Sequence, residues 1–401
     1  MWGIEWLWPE LILLGAGLGN RWRVVPPVLI LGYGIALYTQ RYGEALLLSF
    51  TPEACRMILL FCGLSSLAWI MHPLRGAAAW ALLLQLGSYS LLLRSRHLAF
   101  TWTLLESGAI AGYFFVVGAS SSAQKWAAGV RYFSWSVAGS ALILMGIAAR
   151  LMGEVPLSYP LASGRIWSDS LLSIGWAIKV GFIPWHFWLM GIYRCLPVVW
   201  GGWFAVVPKG ALLLNLISGI PSAGLSLELF YMCGALSLLS AYAWAWKAES
   251  LTEMVFWGSF AQGGYVVLAA TREGASAAWD FWAVYGGAGF LGLLYAEAPW
   301  QGRGGSSIGL LLLANLAALP PVLGFWVKFQ LFWVGLNYLT GGLRWLLIGS
   351  ALLATLGGFA VYGKVLWRLW TGEAAPVPSL SRKILYSIGA LGLFVLGLNG
   401  L

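Results

Sequence analysis

Charge is what this sequence has least of. Asp, Glu, Lys and Arg together make up 9% of 401 residues, where a soluble domain carries about 25%. That scarcity excludes a water-soluble globular fold. The net charge of +9 is not a nucleic-acid signal, because no Lys/Arg block or basic helix face is present. Most of the cations fall at the ends of apolar runs, where they anchor helices at a membrane interface. Cysteine is scarce too. Cys55, Cys62, Cys195 and Cys233 form no C-x-x-C pair and no metal-ligand spacing, so they read as small buried apolar side chains. His72, His97 and His186 are scattered, which excludes a histidine metal cage, and no haem, flavin or iron–sulfur signature is visible. Met1–Trp6 holds no basic residue ahead of the first apolar run. Neither a cleavable signal nor an Arg-rich transit peptide fits, and direct insertion where the chain is made is expected.

What is abundant is apolar. Hydrophobic residues make up 60% of the chain. In a bilayer only helices and closed barrels satisfy the backbone, and long unbroken apolar runs select helices over the alternating segments of a barrel. The expected fold class is an all-α polytopic membrane protein of about fourteen transmembrane helices, at 6–20, 24–40, 53–72, 77–94, 97–118, 129–152, 168–190, 197–221, 226–246, 251–271, 276–298, 306–335, 338–366 and 384–401. Gly181 and Pro184 interrupt the seventh span, and Pro320-Pro321 interrupts the twelfth. Proline removes a backbone donor, and freed carbonyls at membrane depth are tolerated only inside protein or beside water. Paired broken helices point to an ion site in folds built from inverted repeats. The breaks are five spans apart, which divides the chain into N-terminal helices 1–76, a first five-helix repeat 77–221, a second 222–370 and a C-terminal helix 371–401. Loop cations number twelve in odd loops against eight in even ones. Arg94 and Arg150 are counted among the eight. The bias puts odd loops on the cytoplasmic or matrix side and both termini on the other face.

Three lysines lie deep in apolar runs: Lys179, Lys209 and Lys328. Each costs roughly 2.5–3.5 kcal/mol at the bilayer centre on insertion scales. Lys179 is about eleven residues, ~16 Å, from either end of its span, too far for its side chain to snorkel. Glu106 is the one acidic residue deep in an apolar segment, since Glu228 and Asp280 lie near segment ends. An amine in such a place gains and loses a proton as its neighbourhood changes, so the set reads as a charge pathway; the plainer reading is structural lysines and a static ion pair that fixes helix register. His186, two residues after Pro184, either relays protons or caps freed carbonyls. Ser107, Ser259 and Tyr265 are weaker candidates for holding water. The 26 tryptophans read as interfacial belt and packing, not as an aromatic binding cage.

Several stretches, in order, carry a family resemblance. Lys179-Val-Gly-Phe-Ile-Pro-Trp-His-Phe-Trp188 resembles the K-x-G-x-x-P-x-H-x-W segment of the antiporter-like subunits of respiratory complex I. Val207-Pro-Lys-Gly210, Gly258-Ser-Phe-Ala-Gln-Gly-Gly-Tyr265, Leu319-Pro-Pro-Val-Leu-Gly-Phe-Trp-Val-Lys-Phe329 and Leu104-Leu-Glu106 are similar to further segments of that family. The resemblance covers roughly residues 97–335. Lysine on all three helices is similar to the subunit 2 type. One departure is Gln262, at the family's histidine position; glutamine hydrogen-bonds water but does not titrate.

The resemblance implies proton translocation as a membrane-arm subunit of an NADH:quinone oxidoreductase. Glu106 and Lys179 would form a separable pair, Lys209 would pass the proton laterally, and Lys328 would be the terminal site. It implies no redox cofactor in this chain, with NADH, FMN, iron–sulfur clusters and quinone held by other subunits. Partners would be neighbouring antiporter-like and small membrane subunits, and lipids. A mitochondrial inner membrane is expected, with a bacterial plasma membrane as the alternative. The competing functions are a cation/proton antiporter outside complex I and a scaffold that has lost pumping.

Overall fold

The computed structural model describes residues 25–39, 43–44, 48–159, 161, 164–219, 225–271, 273–297, 303–320 and 322–371. The expected spans 6–20 and 384–401, and Pro321 of the second break, lie outside these residues. The helices are α1 (Val25–Thr39), α2 (Pro52–Met71), α3 (Ala77–Arg94), α4 (Leu98–Ala119), α5 (Lys125–Met152), α6 (Ile166–Val180), α7 (Phe187–Cys195), α8 (Val198–Gly219), α9 (Leu225–Lys247), α10 (Leu251–Val266), α11 (Ala275–Glu297), α12 (Arg303–Ala317), α13 (Leu323–Tyr338) and α14 (Arg344–Thr371). Two two-residue strands, β1 (Gly43–Glu44) and β2 (Ser49–Phe50), pair antiparallel between α1 and α2. Among the described residues seven helices are long and apolar enough to cross a membrane. The chain is an all-α polytopic membrane protein.

Local chemistry sets the helix ends. Thr51 caps α2 by accepting the Ala54 N–H at 3.2 Å, with Pro52 in the first turn. Ser250 caps α10 in the same way through the Glu253 N–H at 3.1 Å. The two breaks are closed by side chains. α6 stops at Gly181, whose φ of 76° is a left-handed conformation that glycine adopts without penalty. The Ile178 carbonyl, which takes the Gly181 N–H at 3.1 Å, also accepts the Trp188 indole N–H at 3.3 Å. Between α12 and α13, Ala318 turns the chain with φ 59°, and the Asn315 side chain accepts the Gly324 N–H at 2.9 Å.

The chain divides into two compact units, residues 1–181 with 185–221, and residues 182–184 with 222–401. In the first, α5 and α6 cross almost backbone to backbone. A Cβ on Gly139 would lie 2.9 Å from the Gly175 carbonyl oxygen, and one on Gly175 would lie 2.6 Å from that of Gly139. Without a hydrophobic drive between helices in lipid, such close approach through small residues is what holds them together. Phe115 packs with Trp200, Trp203 and Phe204 of the almost fully buried α8. Arg94 and Arg150 are not solvated loop cations as the sequence suggested. They are 0% and 1% exposed; Arg94 Nε donates to the Ser90 carbonyl at 3.1 Å, and Arg150 pairs with Asp169 at 2.6 Å. All four cysteines are buried.

In the second unit α9 packs along α14 and α10. α13 inverts the pattern of a soluble helix. Trp326, Phe329 and Trp333, at i, i+3 and i+7, are 49%, 51% and 59% exposed, while Lys328 is 3% exposed. The aromatic stripe faces outward and the amine faces protein.

Candidate functional site

The first unit brings three of the expected residues together. Lys179 occupies the last turn of α6, where unpaired carbonyls at a helix C-terminus favour a cation. The break therefore does more than interrupt a span: it places a helix end at the depth of the amine. Lys179 Nζ lies 3.1 Å from Glu106 Oε1 of α4 and 3.0 Å from Ser136 Oγ of α5. Ser140 Oγ donates to the same Glu106 oxygen, and Trp102 Nε1 donates to the Ser140 carbonyl at 3.1 Å. The Lys179 side chain is 3% exposed and that of Glu106 25%, so the pair has one dry partner and one with access to its surroundings.

Lys209 follows Pro208 within α8 and is buried. A cavity of about 30 Å³ has Lys179, Lys209, Ser136, Tyr89 and Tyr132 among the residues of its wall. That volume suffices for a water molecule, and the wall supplies polar partners for it. Glu106 and Ser140 are not on this wall. Tyr89 is tied to Gln85 at 3.2 Å. A Cβ at Gly112 would come within 2.8 Å of the Gln85 amide nitrogen, so the glycine is what admits it. His186 is buried beside Phe187, with ring centroids 4.4 Å apart, and does not line the cavity. At this break the Ile178 carbonyl accepts the Trp188 indole N–H.

The second unit holds Lys328 in a cradle of tyrosine rings. Its Nζ is 4.2 Å from the Tyr265 ring centroid and 5.1 Å from that of Tyr285, a cation–π arrangement. Tyr265 is fixed by Thr355 Oγ1 at 2.9 Å, and Tyr285 donates to the Gly324 carbonyl at 3.1 Å. The sequence had led to no aromatic cage; the cage is of tyrosine, not tryptophan. Gln262 is buried one turn before Tyr265, with Gly289 facing it. Ser107 pairs with Ser88 at 2.6 Å, and Ser259 bonds the Phe256 carbonyl of its own helix. Sequence reasoning missed Ser136, Ser140, Tyr285 and the Arg150–Asp169 pair. Among the described residues no cluster of three or more His, Cys, Asp or Glu is placed to hold a metal.

A broken helix, a buried carboxylate–lysine pair and a second buried amine beside one cavity make up the site, and the chain is similar to antiporter-like membrane subunits. Residues 95–291 match the family described as NADH:quinone oxidoreductase/Mrp antiporter, TM. The chain is 24% identical over 340 residues to NADH-quinone oxidoreductase subunit N of Acidithiobacillus ferrooxidans, covering 73% of this chain and 69% of that one. It is 25% identical over 413 residues to NAD(P)H-quinone oxidoreductase subunit 2 of Gloeobacter violaceus, covering 93% and 78%. A chain of respiratory complex I from Thermus thermophilus with bound aureothin shares the fold, with a TM-score of 0.80 and 19% identity over 98% of this chain and 96% of that one.

Proposed function

We propose that this chain moves protons as the subunit N/subunit 2 member of a proton-pumping NADH:quinone oxidoreductase. The observation that carries the reading is the Lys179 amine, held by Glu106 at 3.1 Å on one side and opening on the other onto a cavity shared with Lys209. With Glu106 close, the ammonium is stabilised. When the carboxylate withdraws, Lys179 releases its proton into the cavity and the neutral amine of Lys209 takes it up. Lys328 is the terminal site, exchanging with a neighbouring subunit or the far side. His186 and Gln262 are polar groups near the two breaks, and Gln262 acts only by binding water. The protein's part is positioning and electrostatics; NADH, FMN, iron–sulfur clusters and quinone belong to other subunits.

The same reading takes 77–221 and 222–370 as two inverted five-helix repeats, supported by one broken helix in each. It takes neighbouring antiporter-like and small membrane subunits as partners, supported by the names of the relatives. Those relatives are bacterial, which favours a bacterial plasma membrane over the mitochondrial inner membrane.

Lys179→Met tests the proposal. In the intact complex, reconstituted with quinone, it should lower NADH-driven proton uptake at least tenfold, a change of ~1.4 kcal/mol or more in barrier. Normal pumping by that variant would remove the pair as a required site. Migration of the chain on a native gel apart from any NADH-oxidising band would favour a free-standing cation/proton antiporter instead.

A further inference from the structure

We propose that Ser136 is a positioning residue that keeps the Lys179 amine hydrogen-bonded in both of its protonation states and so lets it turn from Glu106 to the cavity. The inference rests on the reading of Lys179 as a proton carrier.

The first ground is where the hydroxyl stands. Ser136 Oγ is 3.0 Å from Lys179 Nζ, and Ser136 also lines the cavity that Lys179 shares with Lys209, while Glu106 and Ser140 do not. Ser136 is thus the one hydrogen-bond partner of the amine that belongs to both sides of it.

The second ground is what the hydroxyl leaves undone. A buried helical serine ordinarily returns its hydroxyl to a carbonyl one turn back. Ser65, Ser88, Ser140, Ser173 and Ser259 all do this, at 2.6–3.0 Å. Ser136 does not; among the described residues its hydroxyl bonds Lys179 alone. The Gly139–Gly175 crossing one turn away presses α5 against α6 and aims that oxygen across the interface.

The third ground is chemical. An ammonium has three donors and no acceptor, and an ionised carboxylate only accepts. Glu106 therefore serves the charged form of Lys179 and offers nothing to the lone pair of the neutral amine. A hydroxyl accepts from the ammonium and, by rotating, donates to the amine. In the transfer, Lys179–NH3⁺ loses one proton to the cavity and becomes –NH2, Lys209–NH2 gains it and becomes –NH3⁺, and Ser136 reverses its hydrogen bond without itself gaining or losing a proton. Without it the neutral amine would be left unsatisfied in an apolar site, which is costly.

The experiment uses the complete complex in proteoliposomes, reading protons moved per NADH oxidised and their dependence on pH. Ser136→Ala, which keeps the Cβ and the packing, should reduce pumping about tenfold and displace the pH profile of pumping. Ser173→Ala, which removes an equally buried hydroxyl on α6, should match wild type in both. Ser136→Cys, of similar size and with a weak donor, should fall between, and takes the place of Ser136→Ala if that variant fails to assemble. Wild-type stoichiometry and pH profile in the Ser136 variants, with Lys179→Met inactive, would overturn this proposal alone. Normal pumping by Lys179→Met would overturn the underlying reading.

Discussion

Asn315 accepts the Gly324 N–H at 2.9 Å, so a single side chain spans the interruption between α12 and α13. The approach is close enough that a Cβ on Gly324 would collide with the Asn315 main-chain carbonyl. Gly324→Ala should therefore cost about 1–3 kcal/mol by overpacking against backbone that cannot move aside. Asn315→Ala should cost about 1 kcal/mol by leaving the Gly324 donor unpaired. Thermal unfolding of the purified complex reads both, and a Gly324→Ala variant as heat-stable as wild type would refute the geometry.

Removing the charge of Glu106 while keeping its shape separates attraction from packing. Glu106→Gln retains an oxygen for Ser140 but no longer holds the ammonium of Lys179 electrostatically. NADH-driven proton uptake should fall by roughly tenfold, equivalent to ~1.4 kcal/mol, with the complex still assembled. Unchanged uptake would show that the 3.1 Å contact is structural only.

The cradle of Lys328 predicts a dependence on rings rather than hydroxyls. Tyr265→Phe loses the bond to Thr355 but keeps the π face 4.2 Å from the amine, and should pump within about twofold of wild type. Tyr265→Leu gives up a desolvated cation–π contact of about 2 kcal/mol and should pump several-fold more slowly. Equal activity of the two variants would rule out the ring as a partner.

Arg150 and Asp169 form an ion pair with side chains 0% and 10% exposed. Asp169→Asn would strand a buried guanidinium, at about 3–5 kcal/mol, and assembled complex on a native gel should largely vanish. Replacing both partners by apolar residues, as in Arg150→Met with Asp169→Leu, should recover part of it. A single variant that assembles as well as wild type would show that the pair carries no structural weight.

The lysines and the two breaks were legible because they violate the rule of their surroundings. An amine in an apolar run and a Gly or Pro within a span each stand out in one dimension. A single deep carboxylate left three lysines to choose from; the pairing of Glu106 with Lys179 was implied by the resemblance, and the two side chains lie 3.1 Å apart. Ser136 was not legible, since a serine in a helix normally bonds its own carbonyl and nothing in the sequence marks the exception. Tyr265 was noticed as a possible water ligand, but its ring function depends on α11 bringing Tyr285 to the same amine. Arg94 and Arg150 were read as interfacial because they end apolar runs; their burial comes from neighbours far away in the chain. Trp188 belonged to a recognised motif, yet its work at the Ile178 carbonyl exists only in three dimensions.

The outward row of Trp326, Phe329 and Trp333, set against the inward Lys328, gives α13 one permitted rotational setting. Consecutive residues of a helix are ~100° apart, so a single-step roll that carries the Lys328 amine to the exposed position of Phe329 would leave Val327 among the tyrosines. The two faces act as a keel and a keyway. Whatever motion accompanies proton transfer at Lys328 must come from the side chain or from sliding along the helix axis, because rotation about that axis is locked.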